Sequence, residues 1–442
     1  MLINPLQDSS NQSIVQEDKM IYEANNDKIV NNIIDFLLDK HSEMLSNISS
    51  EKNKKSIENL VKEKVVNSYS NRDIDINKIV KNVMDRFFGY YILQKYIEDE
   101  EVSDIRAIEF NKIYIKKNGK WLKAIDEFED EKEYSNFVRY CILKNGGKIN
   151  NEIPVTVVSD KQNNLRIEAG IEPVNIISPN LVIRIHRPNN LKNLETLLLS
   201  GSGMINPQIY IFLIKCAISG INIIISGKGA SGKTTLLRAI INKIPETVAI
   251  TSNEETAELF CKHDNIIQRE MVQNRTEDKN ITLEKLSKQA LLMSNDAIVV
   301  GELKGAEAMT FVDGISTGHS GYATVHSNSS TNTINRLITL MKRDNRAIQY
   351  TNKYLEQILG TSIELIIYMQ NFKVKEITEV YYDIKKQEII YNKLFEFVID
   401  KIIDGKVQGY FKKINDPKYI VKNKFDINEL EIKRIMEEEN GN

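Results

Sequence analysis

The chain is short of the features that commit a protein to an unusual environment. It has three cysteines in 442 residues, Cys141, Cys216 and Cys261, far apart and odd in number. That excludes a disulfide framework and a paired CxxC zinc site, and it fits a reducing compartment. Charge of one sign is lacking too: 59 Lys and Arg stand against 61 Asp and Glu, a net charge of −2, so nothing global favours wrapping nucleic acid. No cationic segment followed by an apolar one opens the chain, so no secretory signal is expected and the protein is expected to stay inside the cell. The longest apolar stretch, residues 209–225, is interrupted by Lys215, Ser219 and Asn222 and falls short of the roughly 20 apolar residues of a membrane span. Any membrane contact is therefore expected to be peripheral. What remains, 41% hydrophobic and 27% charged residues, is the balance of a globular protein, long enough for two to four domains of about 100–200 residues each.

Residues 1–25 are polar and aperiodic and read as a disordered tail. Ile29, Ile33, Leu37 and Met44, then Ile57, Leu60, Val61 and Val65, then Ile76, Val80, Val83 and Phe87 recur at helical spacing, which predicts a helical N-terminal module over 26–98. An α+β N-terminal domain is expected over 99–187. Its signals are a tight hairpin at Asn118-Gly119, a helix face of Tyr134, Phe137, Val138, Cys141 and Ile142 ended by Asn145-Gly146-Gly147, and β runs at 153–158, 165–169 and 181–186. Cys141 reads as a core thiol. Pro188-Asn-Asn and Ser200-Gly-Ser-Gly203 suggest a linker over 188–205. From the cap-and-proline pair Asn206-Pro207, β runs at 222–226, 248–251, 297–300 and 322–325 alternate with helical patterns. That predicts an α/β domain with a parallel sheet over 206–400, with a C-terminal extension over 401–442.

The strongest chemical signal is Gly227-Lys-Gly-Ala-Ser-Gly232-Lys233-Thr234, which fits GxxxxGK[ST] and lies between a β run and a helix. Such a loop turns its N–H groups toward phosphates, and the following helix presents its positive end to them. Lys233 is expected to reach the β- and γ-phosphates and the Thr234 hydroxyl to bind Mg²⁺. Gly227, Gly229, Ala230, Ser231, Gly232 and Thr235 complete the expected ATP-binding set. An acid at the end of a neighbouring strand is needed beside such a loop, and Ala297-Ile-Val-Val-Gly301-Glu302 supplies Glu302 at the sheet's carboxyl edge. A second acidic cluster, Asn253-Glu254-Glu255-Thr-Ala-Glu258, ends at the same edge. His319 and His326 flank a strand; their spacing does not suit zinc and no cysteine completes a ligand set. Either they touch the γ-phosphate or they are satisfied by local backbone.

These residues resemble the secretion ATPase superfamily of type II and type IV secretion and type IV pili, most closely its Tad/Flp pilus assembly (CpaF-like) branch. The Walker A box is Gly227 to Thr234, the acidic box resembles residues 253–259, the Walker B box is residues 297–302 with Leu-Lys-Gly-Ala-Glu-Ala308, and the histidine box is Thr317 to His326. Phe88-Gly89, Asp104-Ile105, Gly146-Gly147, Ile183-Arg-Ile-His-Arg187 and the strand at 379–382 extend the similarity over roughly residues 85–400. The resemblance implies a RecA-like ATPase domain behind an N-terminal domain, a homo-hexameric ring, ATP and Mg²⁺ as cofactors, and a platform protein of the inner membrane as partner. It implies Glu302 as the residue that polarises the attacking water and binds magnesium directly or through water, Glu254 as its assistant, His326 as γ-phosphate sensor and His319 as a supporting member. Arg166 and Arg184 match the arginines with which the family's N-terminal domain reaches the nucleotide; by themselves they are arginines on β runs, open to surface ion pairing.

The chain departs from the pattern in places. Lys228, Gly229 and Ala230 stand where Gly-Thr-Gly is usual, Leu291-Leu-Met-Ser-Asn-Asp296 lacks the usual arginines, Lys304 replaces an arginine, and the Asp-Ala-Arg usual around 157–160 is missing. The expected function is a cytoplasmic ATPase motor, peripheral at the inner face of the membrane, driving pilus assembly or secretion. The alternatives are an ATP-binding, catalytically weak scaffold or sensor of the same machine, suggested by the missing arginines, and a nucleic-acid-dependent translocase, which the near-neutral charge disfavours.

Overall fold

The computed structural model describes residues 29–30, 32–34, 36–37, 51–69, 74–187, 193–199, 203–272, 280–403, 406–426, 428–430 and 432–434. The tail expected over 1–25, Met44 and parts of the expected linker lie outside them. The chain divides into two compact units, residues 1–187 and 188–442.

In the first unit, the helical residues between 29 and 37 pack with α1 (Glu51–Tyr69) and α2 (Ile76–Phe87). Ile29, Ile33, Leu37, Ile57, Val61, Val65, Val80 and Val83 form one buried cluster. The helical periodicity had singled out these same positions. After the short α3 (Gln94–Glu98) come β1 (Val102–Glu109), β2 (Lys112–Lys117), β3 (Lys120–Lys123), α4 (Glu131–Lys144), β4 (Val155–Asp160), β5 (Leu165–Gly170) and β6 (Asn180–Ile185). The strands make one antiparallel sheet in the order β3-β2-β1-β6-β5-β4. Asn118 and Gly119 turn the hairpin with φ of 50° and 80°, as a two-residue loop requires. Cys141 is fully buried on α4 against the sheet, and burial pushes its thiol well above the ordinary range.

The boundary expected at 98/99 does not separate two bodies. Tyr90, Leu93, Tyr96 and Ile97 pack into the same core as the sheet. Arg86 pairs with Glu133 at 2.8 Å, and the Tyr140 hydroxyl donates to the Phe87 carbonyl at 2.8 Å. Apolar side chains placed just before the boundary have nowhere to be buried except under the strands that follow.

The second unit contains α5 (Leu194–Leu199), α6 (Pro207–Ile218), β7 (Ile223–Gly227), α7 (Lys233–Ile241), β8 (Ile250–Glu254), β9 (Ile266–Glu270), α8 (Leu283–Ala290), β10 (Ala297–Leu303), α9 (Glu307–Ser316), β11 (Ser320–Val325), α10 (Ser330–Met341), α11 (Asn352–Ser362), β12 (Leu365–Gln370), β13 (Lys373–Asp383), β14 (Glu388–Ile403) and β15 (Lys406–Lys413). Among the described residues, its sheet runs in the order β15-β14-β13-β12-β7-β11-β10-β8-β9, parallel from β12 to β9 and antiparallel from β12 to β15. Strand β11 thus lies between the P-loop strand β7 and the acidic strand β10, the RecA-like arrangement.

Side-chain alternation in the parallel strands serves two cores. Ile223, Ile225, Val299 and Ile367 face α5, α6 and α7, while Ile224, Val300, Ala323 and Ile366 face α9, α10 and α11. Strands covered on both faces read as continuous apolar runs, which is why β7, β10 and β11 are legible in the sequence.

Two expected boundaries shift here. Within the expected linker, α5 places Leu194 and Leu197 in the core under β7, because two leucines at a helical spacing bury one face. The expected extension after 400 also belongs to this unit. Strand β14 runs on to Ile403 and pairs with β15, and Ile420 and Ile432 join Phe212 and Phe395 in the core.

Candidate active site

The P-loop leaves β7 at Gly227, whose φ is 155° and where a Cβ would lie 2.3 Å from the Met369 carbonyl oxygen on β12. Any larger residue would push the loop off the sheet. The loop enters α7 through Gly232, whose φ of 93° is left-handed and free of cost only for glycine. Ala230 sits at φ 55°, where an L-residue with a Cβ carries about 1–2 kcal/mol of strain; glycine would carry none.

Lys233 is buried and donates to the carbonyls of Gly227 at 3.2 Å and Lys228 at 3.0 Å. Burial lowers its pKa, against the raising fields of Glu302 and Glu258. Thr234 and Thr235 follow, half-buried, in the first turn of α7. Lys228, Gly229 and Ala230 are exposed at the mouth of the loop. The Ser231 hydroxyl is buried with no hydrogen-bond partner in the protein, an orphan that a phosphate oxygen in the loop would satisfy. The residues therefore fit a bound nucleoside phosphate.

The acid arrives by a local irregularity. Between Val300↔Ala323 and Leu303↔Val325, two residues of β10, Gly301 and Glu302, oppose the single Thr324 of β11. This bulge is pinned by the Thr324 hydroxyl donating to the Gly301 carbonyl at 2.6 Å. Bulges of this kind re-aim a side chain at a sheet edge. Glu302 Oε1 meets His326 Nε2 at 2.9 Å, and its Oε2 lies 3.5 Å from Lys304 Nζ. Partial burial, followed by the field of Lys233, holds the His326 pKa below its ordinary value despite Glu302. Near neutral pH the imidazole is therefore uncharged and donates Nε2–H to the carboxylate. A Cβ on Gly229 would lie 3.7 Å from His326 Cε1, so the histidine also borders the phosphate loop.

Glu254 ends β8 beside this group. It lies against Gly301, where a Cβ would come within 2.9 Å of the Glu254 Cγ. Its carboxyl is almost fully buried, and its Oε1 accepts from the Glu258 and Leu259 N–H groups at 3.0 and 2.9 Å. Burial pushes its pKa up to about 8. Its burial and its two backbone donors give it the geometry of a brace for the acidic loop. On the other side of that loop, Arg238 of α7 donates to the Glu258 and Leu259 carbonyls, each at 3.4 Å. Arg238 carries no motif. Its one trace in the sequence is a charge amid Leu236, Leu237, Ala239 and Ile240, a cation on a helix that is otherwise apolar around it.

The structure brings Gly227 to Thr235, Glu254, Glu302 and His326 to one edge of the sheet, and His319 to the opposite edge. His319 precedes β11 and His326 follows it, so the strand separates them by roughly 20 Å. The His319 ring nitrogen Nδ1 bonds the Gly314 carbonyl at 3.1 Å; of the two readings of the histidines, local backbone satisfaction applies to this one. Arg166 and Arg184 lie in the first unit, directly opposite one another in the β5–β6 ladder, on the face away from its core. Arg184 pairs with Asp104 at 3.3 Å.

A P-loop at the carboxyl edge of a RecA-like sheet, with a strand-end glutamate beside it, defines a P-loop nucleotide-binding protein. The chain belongs to the type II/IV secretion system protein family, whose profile matches residues 148–371. It is 32% identical over 224 residues to a probable conjugal transfer protein TrbB of Sinorhizobium fredii (strain NBRC 101917 / NGR234), covering 49% of this chain and 64% of that protein. It is 29% identical over 207 residues to the type IV secretion system protein VirB11 of Bartonella quintana (strain Toulouse), covering 46% of this chain and 58% of that protein. The match thus spans less than two thirds of the length of either relative. The solved structure of the pilus retraction motor PilT with bound ADP aligns at a TM-score of 0.47 and 18% identity, covering 69% of this chain and 81% of that one.

Proposed function

We propose that the second unit binds ATP with Mg²⁺ and hydrolyses it, and that a homo-hexameric ring of the chain uses this to drive pilus assembly or secretion at a platform protein of the inner membrane. The observation that carries the hydrolysis is the convergence of the buried Lys233 and the bulge-aimed Glu302 on one sheet edge, with His326 bonded to Glu302. The family membership and the conjugal and type IV secretion relatives support the machine. The absence, among the described residues, of a helix long and apolar enough to cross a membrane is compatible with a peripheral, cytoplasmic placement.

In this reading the loop N–H groups and the Ser231 hydroxyl cradle the phosphates, Lys233 shifts from the loop carbonyls to the β- and γ-phosphates, and Thr234 would hold the metal, with Glu302 reaching it through water. Magnesium, when bound, neutralises charge on the transferring phosphoryl group. Glu302 takes a proton from the attacking water, and His326, hydrogen-bonded to Glu302 and bordering Gly229, registers the γ-phosphate. Arg166 and Arg184, opposite one another in the β5–β6 ladder, are the positions that the family resemblance assigns to the nucleotide. The test is Glu302→Gln. Turnover should fall by roughly 10²–10⁴ with ATP binding retained, and unchanged turnover would overturn the assignment.

A further inference from the structure

The acidic loop contributes one side chain that the site as described leaves without a role. Glu255 Oε2 bonds the ammonium of Lys304 tightly, while the same ammonium stands 3.5 Å from Glu302 Oε2. The Lys304 backbone cannot move: its N–H donates to Glu307 Oε1 at 2.5 Å and its carbonyl accepts from Arg343 Nη1 at 2.7 Å. Only the four-carbon stem is left to turn. Lysine ends in a single point charge, whereas an arginine fork could serve two carboxylates at once. Two carboxylates on one edge thus compete for one cation, and in the structure Glu255 holds it. With Lys304 and Glu255 both partly exposed, the pair contributes little to stability; what it fixes is where the charge sits.

We propose that Glu255 is a positioning residue for hydrolysis: by taking the close bond to the Lys304 ammonium it limits that ammonium to a long, 3.5 Å approach to Glu302 Oε2, so that this oxygen can still bond the attacking water while His326 orients Oε1. The inference rests on the proposed ATP hydrolysis. In Glu255→Gln the ammonium turns to Glu302 and competes with water for that oxygen, lowering kcat by roughly fivefold, the weight of one well-formed exposed ion pair. The KM for ATP stays within about twofold, since the contact altered is the one to the oxygen that meets the attacking water.

The test is a double-mutant cycle on the full-length protein with Glu255→Gln, Lys304→Gln and the double variant, reading kcat and KM separately. The inference expects the loss in Glu255→Gln to vanish when Lys304 is also Gln, so that the double variant matches Lys304→Gln alone. If Glu255→Gln lowers kcat equally in both backgrounds, Glu255 acts without Lys304 and the inference falls. If Glu255→Gln is as active as wild type while Glu302→Gln is dead, the inference falls and the hydrolytic reading stands. A wild type without turnover under any assembly condition would overturn the reading and the inference with it.

Discussion

The two edges of the central sheet in the second unit use glutamate for opposite purposes. At the amino edge, Glu379 of β13 is fully buried. Its carboxylate accepts from the N–H groups of Lys418, Tyr419 and Ile420 at 2.7–3.1 Å and from the Asn392 amide at 2.8 Å. Glu364 beside it accepts from the Asn222 N–H at 2.9 Å, and burial raises its pKa. Glu379 is held chiefly by backbone donors and fastens the C-terminal segment to the sheet, while Glu364 ties the start of β12 to the residue before β7. At the carboxyl edge, Glu302 is partly exposed and, among the described residues, meets the side chains of His326 and Lys304. A buried carboxylate bonded to backbone donors can leave its place only by giving up those bonds. One whose partners are side chains at the solvent boundary can exchange them at little cost. Burial and partner type, not residue identity, sort the fasteners from the chemical groups.

The comparison breaks most visibly at Glu379. Glu379→Ala leaves buried N–H groups unsatisfied and should cost about 3 kcal/mol, lowering the melting point by roughly 6–12 °C, while ATP turnover per folded molecule is preserved at low temperature. Calorimetry and hydrolysis on the same sample check this, and normal stability with lost turnover would erase the distinction between the edges.

Glu254 sharpens the comparison, since it sits at the carboxyl edge but is buried and backbone-bonded like a fastener. With a folded pKa of about 8 above its value in the unfolded chain, the folded state binds the proton more tightly. Stability should therefore be greatest below about pH 4.5 as far as this group is concerned and decline as pH rises through 8. Glu254→Gln, able to keep both hydrogen bonds, should flatten the decline in denaturation midpoint between pH 6 and 9. A variant that loses stability as steeply as wild type would contradict the brace.

A smaller effect is expected at His326, whose lowered pKa has the reverse sign. The unfolded chain takes up a proton first as pH falls below about 6.5, so acidification weakens the fold there, and the unfolding free energy of His326→Gln should vary less between pH 7 and 5 than that of wild type. Equal slopes would mean that the imidazole is not held neutral by its surroundings. The smallest effect belongs to Ala230→Gly, where relief of the left-handed strain, about 1 kcal/mol, is largely offset by the backbone entropy of glycine, about 0.5–1 kcal/mol. The net change in chemical denaturation should stay within about 0.5 kcal/mol, whereas a clear loss of stability would show that the methyl group is packed rather than strained.

The sequence alone was enough for several elements whose signal is local. The P-loop announces itself because phosphate binding needs those glycines, that lysine and that threonine consecutively. The strands β7, β10 and β11 announce themselves because burial on both faces demands unbroken apolar runs, and Asn118-Gly119 because two left-handed residues tolerate few alternatives. The helix faces in the first unit follow from spacing for the same reason. What depends on which segments meet was decided only by the tertiary structure. The bulge that turns Glu302 toward His326, the burial that raises the Glu254 pKa and the capture of Lys304 by Glu255 arise from contacts between residues far apart in the chain. A carboxylate carries the same atoms wherever it stands; its proton affinity and its partners are set by the dielectric and the donors that folding brings to it.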